Sequence, residues 1–197
     1  MRDSAIIALV VGAVSLLTHV LIDPRLRKDA VAKSGKLTEH DKGTSRAIQV
    51  VFALSWLLLF LTALPNQFQI GIVEPHLLFT ALGIVLAAAG YFIRAVAMRT
   101  LGEFFTATLR MREKHRVVSE GIYQRIRHPG YTGTILFFVG SGIATANFIT
   151  TLLILALIFP VFMRRIAVEE RMLTEQLGEE YSAYRAKTRW KLIPFVF

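Results

Sequence analysis

Long apolar segments alternate with polar, mostly basic segments along this chain. A helix needs about 20 predominantly apolar residues to cross the hydrocarbon core of a bilayer, so each long segment is a candidate membrane span. The pattern predicts an all-α integral membrane protein with about five transmembrane helices. The predicted spans run from about Ser4 to Ile22, from Ala47 to Leu64, from Pro75 to Met98, from Pro129 to about Thr145, and from Ile149 to Met163.

The breaks between these spans predict how they connect. Only a few residues around Asn147 separate the last two spans, which predicts a tight helical hairpin. Pro75 suits the first turn of the third span, where a missing N–H costs no helical hydrogen bond. Pro160 should kink or loosen the end of the fifth span, because proline removes a hydrogen bond from a helix interior.

The polar segments have different characters. Residues 23–45 predict a connector with a short helix, whereas residues 101–133 mix aromatic, charged and glycine residues and predict a structured loop of the kind that often carries function. Residues 168–187 predict an amphipathic helix, because apolar positions recur at spacings of three and four. We expect one membrane-embedded domain, 1–197, with three spans in residues 1–98 and the last two spans in residues 99–197.

Composition supports the membrane class and narrows the chemistry. Of the 197 residues 54% are hydrophobic, and the net charge is +9. In so apolar a chain, anionic lipid headgroups explain the basic charge better than nucleic acid does. The absence of cysteine excludes disulfides, thiolate metal sites and cysteine nucleophiles.

The basic residues predict the orientation of the spans. Of the 23 lysines and arginines, 21 lie in the segments 23–46, 99–127 and 164–191. Five spans place these segments on one side, and the positive-inside rule makes that side cytoplasmic, with the N-terminus outside. Arg94 lies about one turn inside the third span and is expected to snorkel towards the interface.

A histidine before a proline marks the predicted start of the fourth span. The residue before proline is extended, so His128 should precede the helix and Pro129 should begin it. A helix N-terminus attracts anions, so Arg127, His128 and the first backbone N–H groups together are candidates to hold a carboxylate or phosphate. The alternative is interfacial anchoring by Arg127 and Tyr131. Taken alone, His115 is equally well explained as a surface residue.

A second polar cluster follows the fifth span. Arg165 and Glu169 are four residues apart and share a helix face, with Glu170 adjacent to it. They can form an ordinary intrahelical salt bridge, or bind a ligand's anionic and cationic groups separately. The sequence has no P-loop, no G-x-G-x-x-G after a strand and no G-x-S-x-G, and its histidines lack metal-ligand spacing, so we expect no metal.

Several stretches resemble the isoprenylcysteine carboxyl methyltransferase family, within a superfamily shared with phospholipid methyltransferases. They are HRVVSEGIYQRIRHPGYTG at residues 115–133, EERML at 169–173, GEEYSAY at 178–184 and the terminal RWKLIPF. The resemblance covers roughly residues 101–195. It implies S-adenosyl-L-methionine as cofactor, S-adenosyl-L-homocysteine as product, and a lipophilic substrate such as prenylcysteine reached from the bilayer. Arg165 takes the place of the family's substrate-binding residue, and the implied cofactor-binding residues are His115, Val117, Val118, Tyr123, His128, Pro129, Tyr131 and Glu169.

The chemistry favours carboxyl methylation over the alternatives. A carboxylate is already ionised at neutral pH and needs no general base, whereas an amine must lose a proton. Arg165 and Glu169 are therefore the candidate catalytic residues. Phospholipid or lipophilic-amine N-methylation, an NADPH-dependent sterol-type reductase and a non-catalytic membrane protein remain alternatives. The sequence does not identify the physiological substrate or the oligomeric state.

Overall fold

The computed structural model describes residues 2–31, 38–39, 43–105, 109–111 and 116–194. Two-residue strands, β1 and β2, pair antiparallel between otherwise helical segments. The elements in chain order are α1 (Arg2–Val31), β1 (Thr38–Glu39), α2 (Thr44–Leu61), α3 (Ala63–Gln67), α4 (His76–Leu101), β2 (Arg110–Met111), α5 (Pro129–Ala144) and α6 (Phe148–Lys187), with 3₁₀ turns at Gly102–Phe104 and Gly121–Gln124.

All five predicted spans are helical, and the protein is an all-α integral membrane protein. Within the described part of the chain, four helices are long and apolar enough to cross a membrane, namely α1, α2, α4 and α6. The fourth predicted span, α5, has only 16 residues. At 1.5 Å per residue it is about 24 Å long, shorter than a bilayer core of about 30 Å.

The remaining differences from prediction concern where helices end. α1 continues into the predicted connector and ends at Val31. The fifth span and the amphipathic segment form one 40-residue helix, α6, whose backbone leaves helical geometry at Gly178 (φ 53°, ψ −117°) and not at Pro160. A positive φ favours glycine, which explains the position of this break. Pro75 is the N-cap of α4, which begins at His76.

α4 and α5 approach each other closely enough for their backbones to touch. A Cβ atom placed at Gly83, Gly90, Gly133 or Gly140 would collide with backbone atoms of the opposite helix. Small residues at regular intervals allow this in membrane helices, where close packing replaces the hydrophobic effect as the driving force for association. α5 therefore has a fixed position against α4, and so does the loop that leads into it.

α2 and α6 pack on the other side of α5 around an aromatic core. Val51, Phe52 and Leu59 of α2 meet Phe137 and Phe138 of α5, with Ile154, Ile158 and Phe162 from α6. The predicted hairpin at Asn147 is confirmed, since its side chain caps α6 by accepting from Thr150 N at 3.1 Å. The Asn147 amide also donates to Asn66 Oδ1 at 2.7 Å, joining the hairpin to α3.

Candidate functional site

A cavity of about 300 Å³ lies where α2, α4, α5 and α6 meet the loop that precedes α5. Its lining is mostly apolar and aromatic, with a few charged side chains. Residues of α1 and α2 form one wall, including His19, Ile48, Gln49 and Phe52. An enclosed, largely apolar space with a few convergent polar groups is the usual form of a small-molecule site.

Arg165, Tyr131 and Glu169 form a hydrogen-bonded chain in this cavity. Arg165 Nε donates to Tyr131 Oη at 3.1 Å, and Tyr131 Oη donates to Glu169 Oε2 at 2.7 Å. A simple i,i+4 salt bridge between Arg165 and Glu169 is thus a poor description, because a phenol from α5 stands between them. Arg165 Nη1 also donates to Thr44 Oγ1 at 2.6 Å and to Ser45 Oγ at 3.1 Å.

Glu170 lies on the buried side of α6 and has a different set of partners. It accepts from Arg127 Nε at 2.8 Å and lies 3.6 Å from Lys191 Nζ. Arg127 Nη1 donates to the carbonyls of Thr188 and Arg189, each at 2.7 Å. Nε and Nη1 of Arg127 thus bind Glu170 and the C-terminal segment, and the anion site expected at Arg127 and His128 stays a prediction.

His128 precedes α5 as predicted, but its side chain makes no helix-capping hydrogen bond. Its Nε2 lies 3.3 Å from Glu170 Oε1, and its Nδ1 lies 3.7 Å from Glu169 Oε2. The ring stacks on Tyr131, with an interplanar angle of 15°. Two carboxylates and an aromatic ring thus orient His128, and not the free N–H groups of the helix.

The C-terminal segment is bound to the residues at the start of α5. Backbone N–H groups of Arg127 and His128 donate to the carbonyls of Trp190 and Lys191, both at 2.9 Å. Thr132 Oγ1 donates to Leu192 O at 2.8 Å. Through these bonds the segment 188–192, which we call the C-terminal strap, is fixed to the start of α5.

Three of the other predicted cofactor residues line the cavity. Val117, Val118 and Tyr123 line it, and Val117 N donates to Glu180 Oε1 at 2.9 Å. Burial raises the pKa of Tyr123 well above its usual value, so its phenol stays protonated. Pro129 is buried in the first turn of α5. His115 lies outside the described residues.

Two residues that line the cavity were not predicted to be part of the site. Arg94 does not simply snorkel, since it lines the cavity and its Nη1 donates to Thr134 Oγ1 at 2.9 Å. Tyr181, 2% exposed, lines the cavity, and its buried Oη has no hydrogen-bond partner among the described residues. Its helical spacing marked Tyr181 as an apolar-face residue, but no sequence signal reveals an unpaired hydroxyl.

Comparison with known proteins finds a family that this chain resembles. A sequence model of the isoprenylcysteine carboxyl methyltransferase family matches residues 81–175. A probable protein-S-isoprenylcysteine O-methyltransferase of Oryza sativa subsp. indica is 33% identical over 58% of this chain and 60% of its own length. Protein-S-isoprenylcysteine O-methyltransferase A of Arabidopsis thaliana is 29% identical over 74% of each chain.

A solved structure shares the fold. It is a eukaryotic intramembrane Ras methyltransferase, isoprenylcysteine carboxyl methyltransferase, and it superposes with a TM-score of 0.65 and 25% identity over 77% of this chain and 53% of the other. The chain resembles the isoprenylcysteine carboxyl methyltransferase family in sequence over residues 81–175 and in fold. This resemblance to methyltransferases implies a methyl donor.

The isoprenylcysteine carboxyl methyltransferase match is uneven along the chain. It contains α5 and the Arg165–Tyr131–Glu169 chain but excludes α1, α2 and Tyr181. The chain also spans only about 60% of the rice relative's length. The wall formed by α1 and α2 must therefore be understood from its own contacts.

Proposed function

We propose that this protein is an integral membrane S-adenosyl-L-methionine-dependent methyltransferase that esterifies the carboxylate of a prenylated cysteine or a similar lipophilic acid. The observation that carries the proposal is the Arg165–Tyr131–Glu169 chain, which sets a cation and a carboxylate side by side in a largely apolar cavity. The family relationship supports it.

The cavity suits S-adenosyl-L-methionine in size and chemistry. Its apolar wall, which includes Val117, Val118 and Leu177, suits an adenine ring, and Glu169 suits an ammonium group. The unpaired Oη of Tyr181 supports a polar ligand, because buried hydroxyls are rarely left without a partner. We assign cofactor binding to Tyr181 and to the residues predicted from the sequence: His115, Val117, Val118, Tyr123, His128, Pro129, Tyr131 and Glu169.

When bound, S-adenosyl-L-methionine supplies an electrophilic methyl group. In our proposal, Arg165 holds the acceptor carboxylate, because a guanidinium stays charged and forms strong hydrogen bonds to carboxylates. Tyr131 fixes the orientation of Arg165, and the apolar walls exclude water. Positioning of two reactants can lower the barrier by about 7–11 kcal/mol, so alignment is the main task of these residues.

The depth of the site suits a substrate that stays in the bilayer. α5 is about 24 Å long against a core of about 30 Å, so its first residues lie near or below the headgroup boundary. The cavity lined by Tyr131 and Arg165 lies at this end of α5, and Phe52 and Phe162 extend its lining towards the aromatic core. A lipid-anchored carboxylate can reach such a site without leaving the membrane.

A methyl-transfer assay with labelled cofactor tests the proposal. Purified protein in detergent is offered prenylcysteine analogues, phosphatidylethanolamine and lipophilic thiols in parallel. We expect label in the prenylcysteine product, released by mild base as methanol because the product is an ester. Base-stable label found only in phosphatidylethanolamine would instead indicate N-methylation and would contradict the proposal.

A further inference from the structure

The start of α2 contributes hydroxyl groups to the site although it lies far from Arg165 in sequence. Gly43 is the N-cap of α2, with φ 76°, and no side chain caps the helix. Thr44 then places its Oγ1 2.6 Å from Arg165 Nη1, with Ser45 Oγ at 3.1 Å from the same atom. Thr44 and Arg165 are each 2% exposed, so the contact is removed from water.

We infer that Thr44 and Ser45 are positioning residues that hold the Arg165 guanidinium in the plane in which it binds the acceptor carboxylate, an inference that rests on the proposed function. Hydroxyl oxygens accept hydrogen bonds without neutralising the cation. Tyr131 Oη accepts from Nε of the same guanidinium. Hydroxyl acceptors on two different helices thus define the orientation of one planar group.

This contact gives the first two spans a part in the reaction. β1, six residues before Thr44, pairs with β2, and Thr38 lies opposite Met111. The chain that enters α2 is thus tied to the loop that follows α4. His19 and Gln49 line the same cavity as Arg165. α2 therefore does more than anchor the protein, because it positions the residue that receives the acceptor, and α1 adds a side chain to the cavity wall.

The test compares Thr44 with Thr62, a buried threonine that follows the last residue of α2. Like Thr44, Thr62 contacts a polar side chain of α6, because Thr62 Oγ1 and Thr150 Oγ1 are 2.7 Å apart. Unlike Thr44, it lies away from the cavity. Thr44→Val and Thr62→Val each replace a hydroxyl by a methyl group at constant shape. We expect Thr44→Val to lower kcat/KM for the prenylcysteine analogue roughly tenfold, since one hydrogen bond to a charged group is lost.

Further measurements separate positioning from folding. S-adenosyl-L-homocysteine affinity should stay unchanged in Thr44→Val, Thr44→Ser should restore kcat/KM, and Thr62→Val should keep normal kcat/KM. Equal losses of activity in Thr44→Val and Thr62→Val, or no loss in Thr44→Val, would overturn the inference.

Failure of the proposed function would be recognised separately, because the wild-type protein would then methylate no acid. In that case the contact is tested by thermal unfolding of Thr44→Val, Arg165→Met and the double variant. Non-additive shifts in Tm support the hydrogen bond between Thr44 and Arg165 as an energetic coupling, and additive shifts overturn it.

Discussion

At the scale of single residues, Arg165 carries the largest share of the proposed chemistry. Arg165→Ala should leave S-adenosyl-L-homocysteine affinity nearly intact and lower kcat and kcat/KM together, by about tenfold or more, because the acceptor carboxylate is then no longer aligned with the methyl group. Arg165→Lys should rescue poorly, since lysine lacks the planar fork. Calorimetry and the methyl-transfer assay on each purified variant check this.

The Glu169→Gln variant provides the contrast for Arg165→Ala. The substitution should weaken S-adenosyl-L-homocysteine binding, because it removes the Glu169 carboxylate that is assigned to a cationic group of the ligand. A parallel loss of cofactor binding and activity in Arg165→Ala would refute the division of roles. Near wild-type behaviour of both variants would leave only a structural hydrogen-bonded chain through Tyr131.

Two buried tyrosines of α6 make opposite predictions. Tyr184 Oη donates to Tyr123 O at 2.8 Å, so Tyr184→Phe should cost about 1 kcal/mol of folding stability. Tyr181 Oη has no partner among the described residues, so Tyr181→Phe should keep or raise the Tm. If this hydroxyl binds the cofactor, the same variant should weaken S-adenosyl-L-homocysteine binding by roughly two- to tenfold.

Thermal unfolding with and without S-adenosyl-L-homocysteine measures both effects. A wild-type affinity for the product in Tyr181→Phe would remove this tyrosine from the binding site. A loss of stability in Tyr181→Phe without ligand would show that its hydroxyl has a protein partner.

The residues differ in how far the sequence revealed them. The spacing of Arg165 and Glu169 placed both on one helix face, and the structure brings both to the cavity. Their link through Tyr131 was not predictable, because it depends on how α5 packs against α6. The role of the adjacent Glu170 was harder still to predict. The sequence of α6 alone does not show that Arg127 and Lys191 approach the face of the helix that carries Glu170.

At the scale of elements, Glu170 joins α6 to the start of α5 and to the C-terminal strap. Removing one partner of a buried ion pair typically costs about 3–5 kcal/mol, so Glu170→Ala should strongly destabilise the protein. Glu170→Gln keeps the shape and one acceptor and should cost less. We expect Glu170→Gln to make the strap more susceptible to proteolysis near Arg189 and Lys191, measured by limited trypsin digestion.

Added S-adenosyl-L-homocysteine should restore part of that protection, because ligand binding stabilises the closed site. The solvent-exposed Glu179→Gln is the matched control on the same helix and should digest like wild type. A Glu170→Gln digestion pattern equal to that of wild type would show that the strap is held by its backbone bonds alone.

The seam between α4 and α5 allows a similarly direct test. Gly140→Ala would place a methyl group against the backbone of Ala87, whereas Gly130→Ala meets only Ala97 Cβ at 3.9 Å. We expect Gly140→Ala to lower stability by about 1–3 kcal/mol, as overpacking does, and Gly130→Ala to be tolerated. Thermal unfolding in detergent measures both, and equal Tm values would show that the helices can separate without cost.

Elements were predictable where hydrophobicity alone determines them. Long apolar runs located α2, α4 and α5 to within a few residues. The sequence did not predict that the fifth span and the amphipathic segment form one helix of 40 residues, because the change from apolar to amphipathic pattern resembles a helix end. The extension of α1 to Val31 was missed for the same reason.

At the scale of the whole molecule, the orientation in the membrane stays a prediction. We expect the N-terminus outside and the site on the cytoplasmic side, because 21 of 23 basic residues then face the cytoplasm. The natural sequence lacks cysteine, so single cysteines can be labelled without background. Phe68→Cys should react with a membrane-impermeant reagent from outside intact cells, and Lys187→Cys only after permeabilisation. Reaction of both from the same side would contradict this topology.

The contact between α4 and α5 also determines where the molecule can deform. Two helices whose backbones touch at several glycine positions leave little room there for side-chain rearrangement, so we expect them to move as one body. The boundary between α2 and α6 is made of side chains such as Phe52, Phe162, Thr44 and Arg165. The movement that admits a long acceptor should therefore occur at the boundary between α2 and α6. The cavity has one fixed wall and one adjustable wall, and acceptors of different chain length would be accommodated by small shifts of α1 and α2.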